Sequence, residues 1–128
     1  MNAKAKELGL EKTIFYDIAG LDASNVSTAR EMAQIAQEAF SKSEIVEVSG
    51  KNQYTIMADN ADGSQSEIDV VNRNYSLMAY GMEAAKTGFL IEAQRTAVFK
   101  KNNQIFSILH ARSMSERKDV VEKLLKIE

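Results

Sequence analysis

The sequence predicts an α+β fold in which helices pack against an antiparallel sheet. Two segments, near residues 32 and 121, repeat apolar residues at the spacing of one helix face. Between them lie several short β-prone runs, and turn-forming residues separate these runs. The order of elements is therefore helix, loop, helix, strands, hairpin and helix, which is typical of an antiparallel sheet with helices packed on it.

The N-terminal third is predicted to be mainly helical. Residues 1–8 favour a helix, and Gly9 suits the position just past its end. An extended piece (13–18) and a loop (19–25) lead to a longer helix over residues 27–40, where Thr28 and Glu31 have the spacing of a capping box. The apolar face of this helix consists of Met32, Ile35, Ala36, Ala39 and Phe40.

The remaining elements are strands and one further helix. Residues 52–57 and 66–71 are predicted as two strands around a loop that contains Asp62-Gly63. In residues 95–111, two β-rich runs flank Asn102-Asn103, and asparagine accepts the positive φ that a tight hairpin needs. The last helix starts at Ser115 or, with capping-box spacing to Glu116, at Ser113. Its buried stripe is Val120, Val121, Leu124 and Leu125.

The composition indicates one domain, residues 1–128, with a helical part (1–49) followed by the sheet and the C-terminal helix (50–128). A net charge of −2 without a basic patch argues against nucleic acid as a partner. No apolar run is long enough for a membrane span, and residues 1–10 lack the hydrophobic region of a signal peptide. With no cysteine and one histidine, we expect no metal site and no cofactor.

One short motif has chemical interest: Lys86-Thr87-Gly88 is one of three signatures of penicillin-recognising serine enzymes. The other two are Ser-x-x-Lys and Ser-x-Asn. Ser-x-Asn is absent from these 128 residues. Ser-x-x-Lys occurs once, from Ser115 to Lys118, but it follows the Lys-Thr-Gly triplet, and a helix cap with a solvated lysine explains it.

Other polar residues are better explained by structure than by chemistry. His110 could act as an acid or base, but no nucleophile accompanies it, so we interpret it as a polar residue at a strand end. Four aspartates lie in turn-rich loops, where turn formation is favoured over calcium binding: Asp17, Asp22, Asp59 and Asp62. Arg30 and Arg73 are interpreted as surface residues, and the six methionines as core filler.

Several segments, in this order, together resemble the D-alanyl-D-alanine carboxypeptidases of the low-molecular-weight penicillin-binding proteins. They are MNAKAKELGL, GLDASNVSTAREMAQIAQEAF, VNRN and AAKTGF. The resemblance implies a partial β-lactamase/transpeptidase-like fold. It also implies that the parent activity removes the terminal D-Ala from peptidoglycan stem peptides through an acyl-serine, at the cell envelope. By the same resemblance, Lys86 supplies positive charge, Thr87 turns a hydroxyl towards the substrate carboxylate, and Gly88 leaves room for substrate.

The resemblance also exposes departures from the family pattern. Its Ser-x-x-Lys and Ser-x-Asn segments would precede Met1, so the sequence offers no catalytic residue. The family usually has glycine at three positions where this chain has Ala84, Gln94 and His110. We therefore expect a non-catalytic fragment or minimised derivative of such an enzyme.

Two alternatives to this function remain open. The chain could be one half of a split carboxypeptidase that needs an N-terminal partner, or a binder of D-Ala-D-Ala or a β-lactam that does not cleave it. Because QIFSIL (104–109) has the profile of an exposed strand edge, we also expect a homodimer with residues 96–109 at the interface.

Overall fold

Helices and strands alternate in blocks along residues 1–126 of the computed structural model, the part of the chain that the structure describes. The helices are α1 (Asn2–Glu7), α2 (Ala29–Ala39), α3 (Ser43–Gly50), α4 (Tyr75–Met78) and α5 (Met114–Leu125). The strands are β1 (Gln53–Asp59), β2 (Gln65–Val71), β3 (Ala84–Leu90), β4 (Gln94–Lys101) and β5 (Gln104–Ala111). All strand pairs are antiparallel, which confirms the predicted fold class. None of the helices in residues 1–126 has the length and apolar character needed to cross a bilayer.

A three-stranded sheet in the order β3-β4-β5 forms the centre of the fold. One face packs against α5 and carries the larger apolar cluster, in which Phe99 is fully buried and stacks on Phe106 with ring centroids 5.0 Å apart. The opposite face packs against α2 and α3 around Phe40 and Ala84. Because side chains alternate along a strand, neighbouring residues of β3 are directed to different layers.

The cap of α2 was predicted correctly in part. The Thr28 hydroxyl accepts a hydrogen bond from the Glu31 N–H at 3.2 Å, as in a capping box. The buried Glu31 carboxylate, however, turns away from Thr28 and accepts from the Lys12 N–H at 3.0 and 3.1 Å and from the Thr13 hydroxyl at 2.5 Å. Glu31 thus ties the loop after α1 to the start of α2, a long-range role that local spacing does not reveal.

The C-terminal helix α5 begins after Ser113, whose hydroxyl accepts from the Glu116 N–H at 3.0 Å. Of the two starts considered, Ser113 is therefore the cap, and Ser115 is an exposed residue of the first turn. Val121 is fully buried and Leu124 packs against the same cluster, which confirms the predicted stripe.

Several backbone positions in the β3–β5 region have positive φ. Asn102 and Asn103, at φ 50° and 59°, form the predicted two-residue hairpin between β4 and β5. Gln94 (φ 56°) and His110 (φ 59°) also lie in the left-handed region, and β4 and β5 change register near them, between Arg95 and Ala97. Gln94 and His110 are two of the positions at which the family that this sequence resembles usually has glycine, the residue that adopts positive φ without strain.

Strands β1 and β2 form a separate two-stranded ribbon, paired from Gln53–Val71 to Asp59–Gln65. The two strands contact chiefly each other, and almost every residue is exposed, including Tyr54, Ile56 and Val70. The sequence predicted both strands but not the two helices next to them. Helix α3 has no side-chain cap and no buried residue, and α4 is a single turn, so neither has a local signal.

Candidate functional site

The Lys-Thr-Gly triplet lies in the middle of β3, one of the two edge strands of the central sheet. Lys86 pairs with Val98, Thr87 with Ala97 and Gly88 with Thr96. A Cβ atom at Gly88 would come within 2.8 Å of the Thr96 hydroxyl oxygen, closer than such contacts allow. A side chain at this position would therefore force the Thr96 hydroxyl to move.

The side chains of Lys86 and Thr87 point to opposite faces of the sheet. Thr87 pairs with Ala97, which belongs to the cluster under α5, so Thr87 lies on that face. Lys86 pairs with Val98, which packs on the α2 side, and its exposed ammonium group donates a hydrogen bond to the Thr87 carbonyl. The predicted residues are thus adjacent along one edge, but only Thr87 faces α5.

Asn74, at the start of α4, clamps the free edge of β3. It is 7% exposed, and its side-chain Nδ2 donates to the Ala85 carbonyl at 2.9 Å. Its Oδ1 lies 2.8 Å from both the backbone nitrogen and the hydroxyl oxygen of Thr87. Asn74 therefore fixes the Thr87 side chain, a role that the sequence analysis missed although Asn74 ends the VNRN segment.

A second asparagine holds Asn74 in place. The Oδ1 of Asn72 accepts from the Asn74 N–H at 2.8 Å, while its Nδ2 donates to the carbonyls of Ser49 and Lys51 at 2.9 and 2.7 Å. The two asparagines thus form a chain of hydrogen bonds from the end of α3 to β3. Two asparagines at i and i+2 before a short helix are the one sequence signal of this arrangement.

Two arginines lie on the same face as Thr87. Arg117 of α5 is 6% exposed and donates to the Ser76 hydroxyl at 3.4 Å. Burial lowers the pKa of Arg117, and the positive charge of the nearby Arg95 lowers it further. Arg95 of β4 places its guanidinium carbon 4.7 Å from the centre of the Phe89 ring, and its buried Nε has no hydrogen-bond partner within residues 1–126.

Within residues 1–126, neither arginine forms an ion pair with a carboxylate. Lys86 is likewise outside the ion pairs found there. Arginine stays charged in proteins, and a buried charge is normally paired. The α5 face at the end of β3 is consequently suited to a small anionic group such as a carboxylate.

The Ser-x-x-Lys pair on α5 is not arranged as a nucleophile and base. Ser115 and Lys118 both line a cavity of about 480 Å³ between α4 and α5, together with Arg117. Lys118, however, lies 4.0 Å from the Glu122 carboxylate, and no Ser115–Lys118 hydrogen bond occurs in the described structure. This agrees with the structural interpretation of the pair, with Ser113 in place of Ser115 as the cap.

The remaining polar candidates have structural roles. Asp17 accepts from the N–H groups of Gly20 and Leu21 and from Asn25, and Asp62 accepts from Ser64, so these loop aspartates form turns as predicted. His110 is exposed at the strand end. Within residues 1–126, no three His, Cys, Asp or Glu side chains come together in a way that could hold a metal ion.

Comparisons with known proteins agree with the geometry. The profile of the family described as D-alanyl-D-alanine carboxypeptidase matches residues 1–111. The chain is 34% identical over 131 residues to D-alanyl-D-alanine carboxypeptidase DacF of Bacillus subtilis, covering 98% of this chain and 33% of the relative. It is 30% identical over 101 residues to a D-alanyl-D-alanine endopeptidase of Haemophilus influenzae, covering 77% of this chain and 33% of that protein.

Solved structures show the same relationship in three dimensions. The chain superposes on the Streptomyces K15 DD-transpeptidase with a TM-score of 0.88 and 29% identity, covering 98% of this chain and 50% of that one. A D-alanyl-D-alanine carboxypeptidase from Mycobacterium tuberculosis matches with a TM-score of 0.70 and 25% identity, over 85% of this chain and 42% of the other. The 128 residues thus span a third of the curated relatives and half of the solved transpeptidase. The chain belongs to the D-alanyl-D-alanine carboxypeptidase family.

Proposed function

We propose that this chain is a non-catalytic form of the D-alanyl-D-alanine carboxypeptidase fold that retains one wall of the peptide site. Its ligand is the carboxyl end of a stem peptide that terminates in D-Ala-D-Ala, which in bacteria is found at the cell envelope. The 128 residues contain no Ser-x-Asn, and their one Ser-x-x-Lys is on α5. A positioned nucleophile contributes much of the rate of acyl transfer, so without one we expect binding and no turnover.

The observation that carries this proposal is the positive charge, unpaired within residues 1–126, on the same face of the sheet as Thr87. Arg117 is almost fully buried and is neutralised by no carboxylate of residues 1–126, and Arg95 adds a second charge on the same face. Lys86 adds a third cation at the edge of β3, with its side chain on the opposite face of the sheet. A terminal carboxylate placed near Arg117 and Arg95 would compensate the cost of burying Arg117.

Two measurements test the proposal. Intact-protein mass spectrometry after incubation with penicillin should show no added mass; an increase of one penicillin, mapped to Ser115, would overturn the non-catalytic assignment. Calorimetric titration with N-acetyl-D-Ala-D-Ala should show binding that weakens about tenfold in Lys86→Met, a loss of roughly 1.4 kcal/mol. The matched control is Lys123→Met, an exposed lysine on α5, and equal affinity of both variants would refute the role of Lys86.

A second possibility is that the chain is one half of a split carboxypeptidase. This chain covers 50% of the K15 transpeptidase, which favours a split enzyme. The Ser-x-x-Lys and Ser-x-Asn motifs would then belong to the other half. Covalent labelling by a fluorescent penicillin only after addition of an N-terminal half of the family fold would support it. Absence of labelling in the reconstituted mixture would leave the non-catalytic binder.

We also propose that the isolated chain forms a homodimer through β5, within residues 96–109. Among residues 1–126, β5 pairs only with β4, and Gln104–Leu109 carry no charge. The β4–β5 loop has two residues, so every second residue of β5 directs its backbone N–H and C=O groups away from β4. Ser107 is the middle one of these residues. The Ser107 hydroxyl is buried and lacks a partner within the described residues.

Antiparallel pairing of two β5 strands around Ser107 would place the two hydroxyls opposite each other across a two-fold axis. Sedimentation equilibrium at about ten micromolar should therefore give a dimer, and Ser107→Lys should give a monomer because two like charges would meet. The control is Ser66→Lys on the β1–β2 ribbon. A monomeric parent chain would refute the dimer.

A further inference from the structure

The cavity between α4 and α5 has a volume of about 480 Å³, which is in the range of small-molecule sites. Its floor consists of three buried residues, Leu77, Val121 and Arg117. Ala79 and Met114 lie at its rim, where both are exposed. The floor is therefore apolar except for one buried cation.

Two hydrogen bonds between the α4 region and α5 mark the two ends of this cavity. At one end Arg117 donates to the Ser76 hydroxyl at 3.4 Å, and at the other end the Tyr80 hydroxyl donates to the Glu122 carboxylate at 3.1 Å. Lys118 lies 4.0 Å from the same Glu122 carboxylate. The Tyr80 end thus contains an acid with a lysine beside it. The Arg117 end contains a cation that no carboxylate of residues 1–126 pairs with.

The N-terminus of α5 adds positive charge at the Arg117 end. Ser113 accepts from the Glu116 N–H, whereas the N–H groups of Met114 and Ser115 are at the start of the helix, where a helix supplies no acceptor of its own. The partial positive charge of this terminus acts in the same direction as the Arg117 guanidinium, which is 6% exposed and has five N–H donors. An anionic group is therefore favoured at this end of the cavity and disfavoured at the other.

We propose that this cavity binds a small apolar monocarboxylate, with the carboxylate between Arg117 and the first turn of α5 and the hydrocarbon chain over Leu77 and Val121. The carboxylate supplies the charge partner that Arg117 lacks within residues 1–126, and the chain leaves water for an apolar floor. The residues that line the cavity come from the α4 region and α5, so the site does not depend on β3.

Titrations with octanoate, octanamide and acetate test the proposal, with the methyl NMR signals of Leu77 and Val121 as the readout. Octanoate should shift both signals saturably and bind about tenfold more tightly than octanamide, which has the same chain without the charge. Acetate, which lacks the chain, should cause no saturable shift over the same concentrations. Equal affinity for octanoate and octanamide would overturn the proposal. Shifts confined to Ile56 and Ile68 of the exposed ribbon would also overturn it, because octanoate would then only coat exposed apolar surface.

Two variants locate the bound octanoate. Ala79→Phe adds a ring at the exposed rim of the cavity and should weaken octanoate binding about tenfold, while the matched control Ala61→Phe, in the exposed β1–β2 turn, should not. Arg117→Met keeps an apolar side chain without the charge, so the affinity ratio of octanoate to octanamide should fall towards one. If Arg117→Met does not fold, the two alanine variants and the ligand pair still decide. Equal affinities of Ala79→Phe and Ala61→Phe would show that octanoate binds elsewhere.

Arg117 is also one of the cations of the proposed function, and one consequence of the cavity site rests on that function. Saturating octanoate should weaken the binding of N-acetyl-D-Ala-D-Ala about tenfold, because the two carboxylates then share one guanidinium. If the peptide does not bind the parent chain, the proposed function fails, and the octanoate titration still decides the cavity site. If the peptide binds equally well with and without saturating octanoate, the octanoate carboxylate is not on Arg117 and the proposed orientation is wrong.

Discussion

Replacement of His110 by glycine should stabilise the protein. His110 has φ 59° at the register shift between β4 and β5, and its side chain is exposed. A left-handed conformation costs a residue with a Cβ atom about 1–2 kcal/mol, while glycine loses about 0.5–1 kcal/mol more chain entropy on folding. The difference predicts a net gain of about 0.5–1 kcal/mol, or a rise in Tm of about 2–4 °C for a domain of this size.

Urea denaturation of His110→Gly and His110→Ala tests this reasoning. Alanine removes the imidazole but keeps the Cβ atom, so it should bring no gain in the free energy of unfolding. Only glycine removes the Cβ atom and with it the backbone strain at residue 110. If the two variants unfold at the same urea concentration, the positive φ at residue 110 does not store strain, and the reasoning fails.

Three further predictions concern packing, the triplet and acid. Leu124→Ala should lower the free energy of unfolding by about 2 kcal/mol, because Leu124 packs against the main cluster. Ile35→Ala should lower it by about 1 kcal/mol, because Ile35 is half-buried and outside both clusters. Equal losses in chemical denaturation would contradict this. Gly88→Ala should cost about 1–3 kcal/mol through contact with Thr96, and Thr96→Ala should restore part of the loss in a double-mutant cycle. The Asn25 amide, followed by the Leu21 N–H, holds the pKa of Asp17 below its ordinary value of 3.8, so Asp17 stabilises the fold above that pH and loses its effect as the pH falls through the lower, folded value. Asp17→Asn should therefore reduce the acid sensitivity of unfolding below about pH 4, and unchanged acid curves would show that the Asp17 loop does not contribute.

Elements with a local pattern were predictable from the sequence. The apolar periods of α2 and α5, the turn chemistry of Asn102-Asn103 and the position of Gly9, at φ 71° just past α1, are all confirmed. Each depends on residues within a few positions of one another. The triplet itself was also visible, because its three residues are contiguous.

The rest of the site depends on contacts between distant segments. Asn74 meets Thr87 across 13 residues, and Arg117 meets Ser76 across 41. In the sequence, Arg117 is one of several charged residues on a helix, and its burial follows only from the packing of α5 on the sheet. Neither the periodicity of apolar residues nor the composition of turns indicates such contacts between distant segments.

Because the β1–β2 ribbon is separate from the main sheet, we expect it to open first in the native state. An isolated two-stranded ribbon has little stability of its own, so its amide hydrogens should exchange with solvent while those of β4 stay protected. Asn72, the residue after β2, donates to the carbonyls of Ser49 and Lys51 and accepts from the Asn74 N–H. Because Asn72 is hydrogen-bonded to Asn74, which in turn binds Thr87, we expect the opening to stop at Asn72. Slow exchange of the Thr87 amide hydrogen would show this.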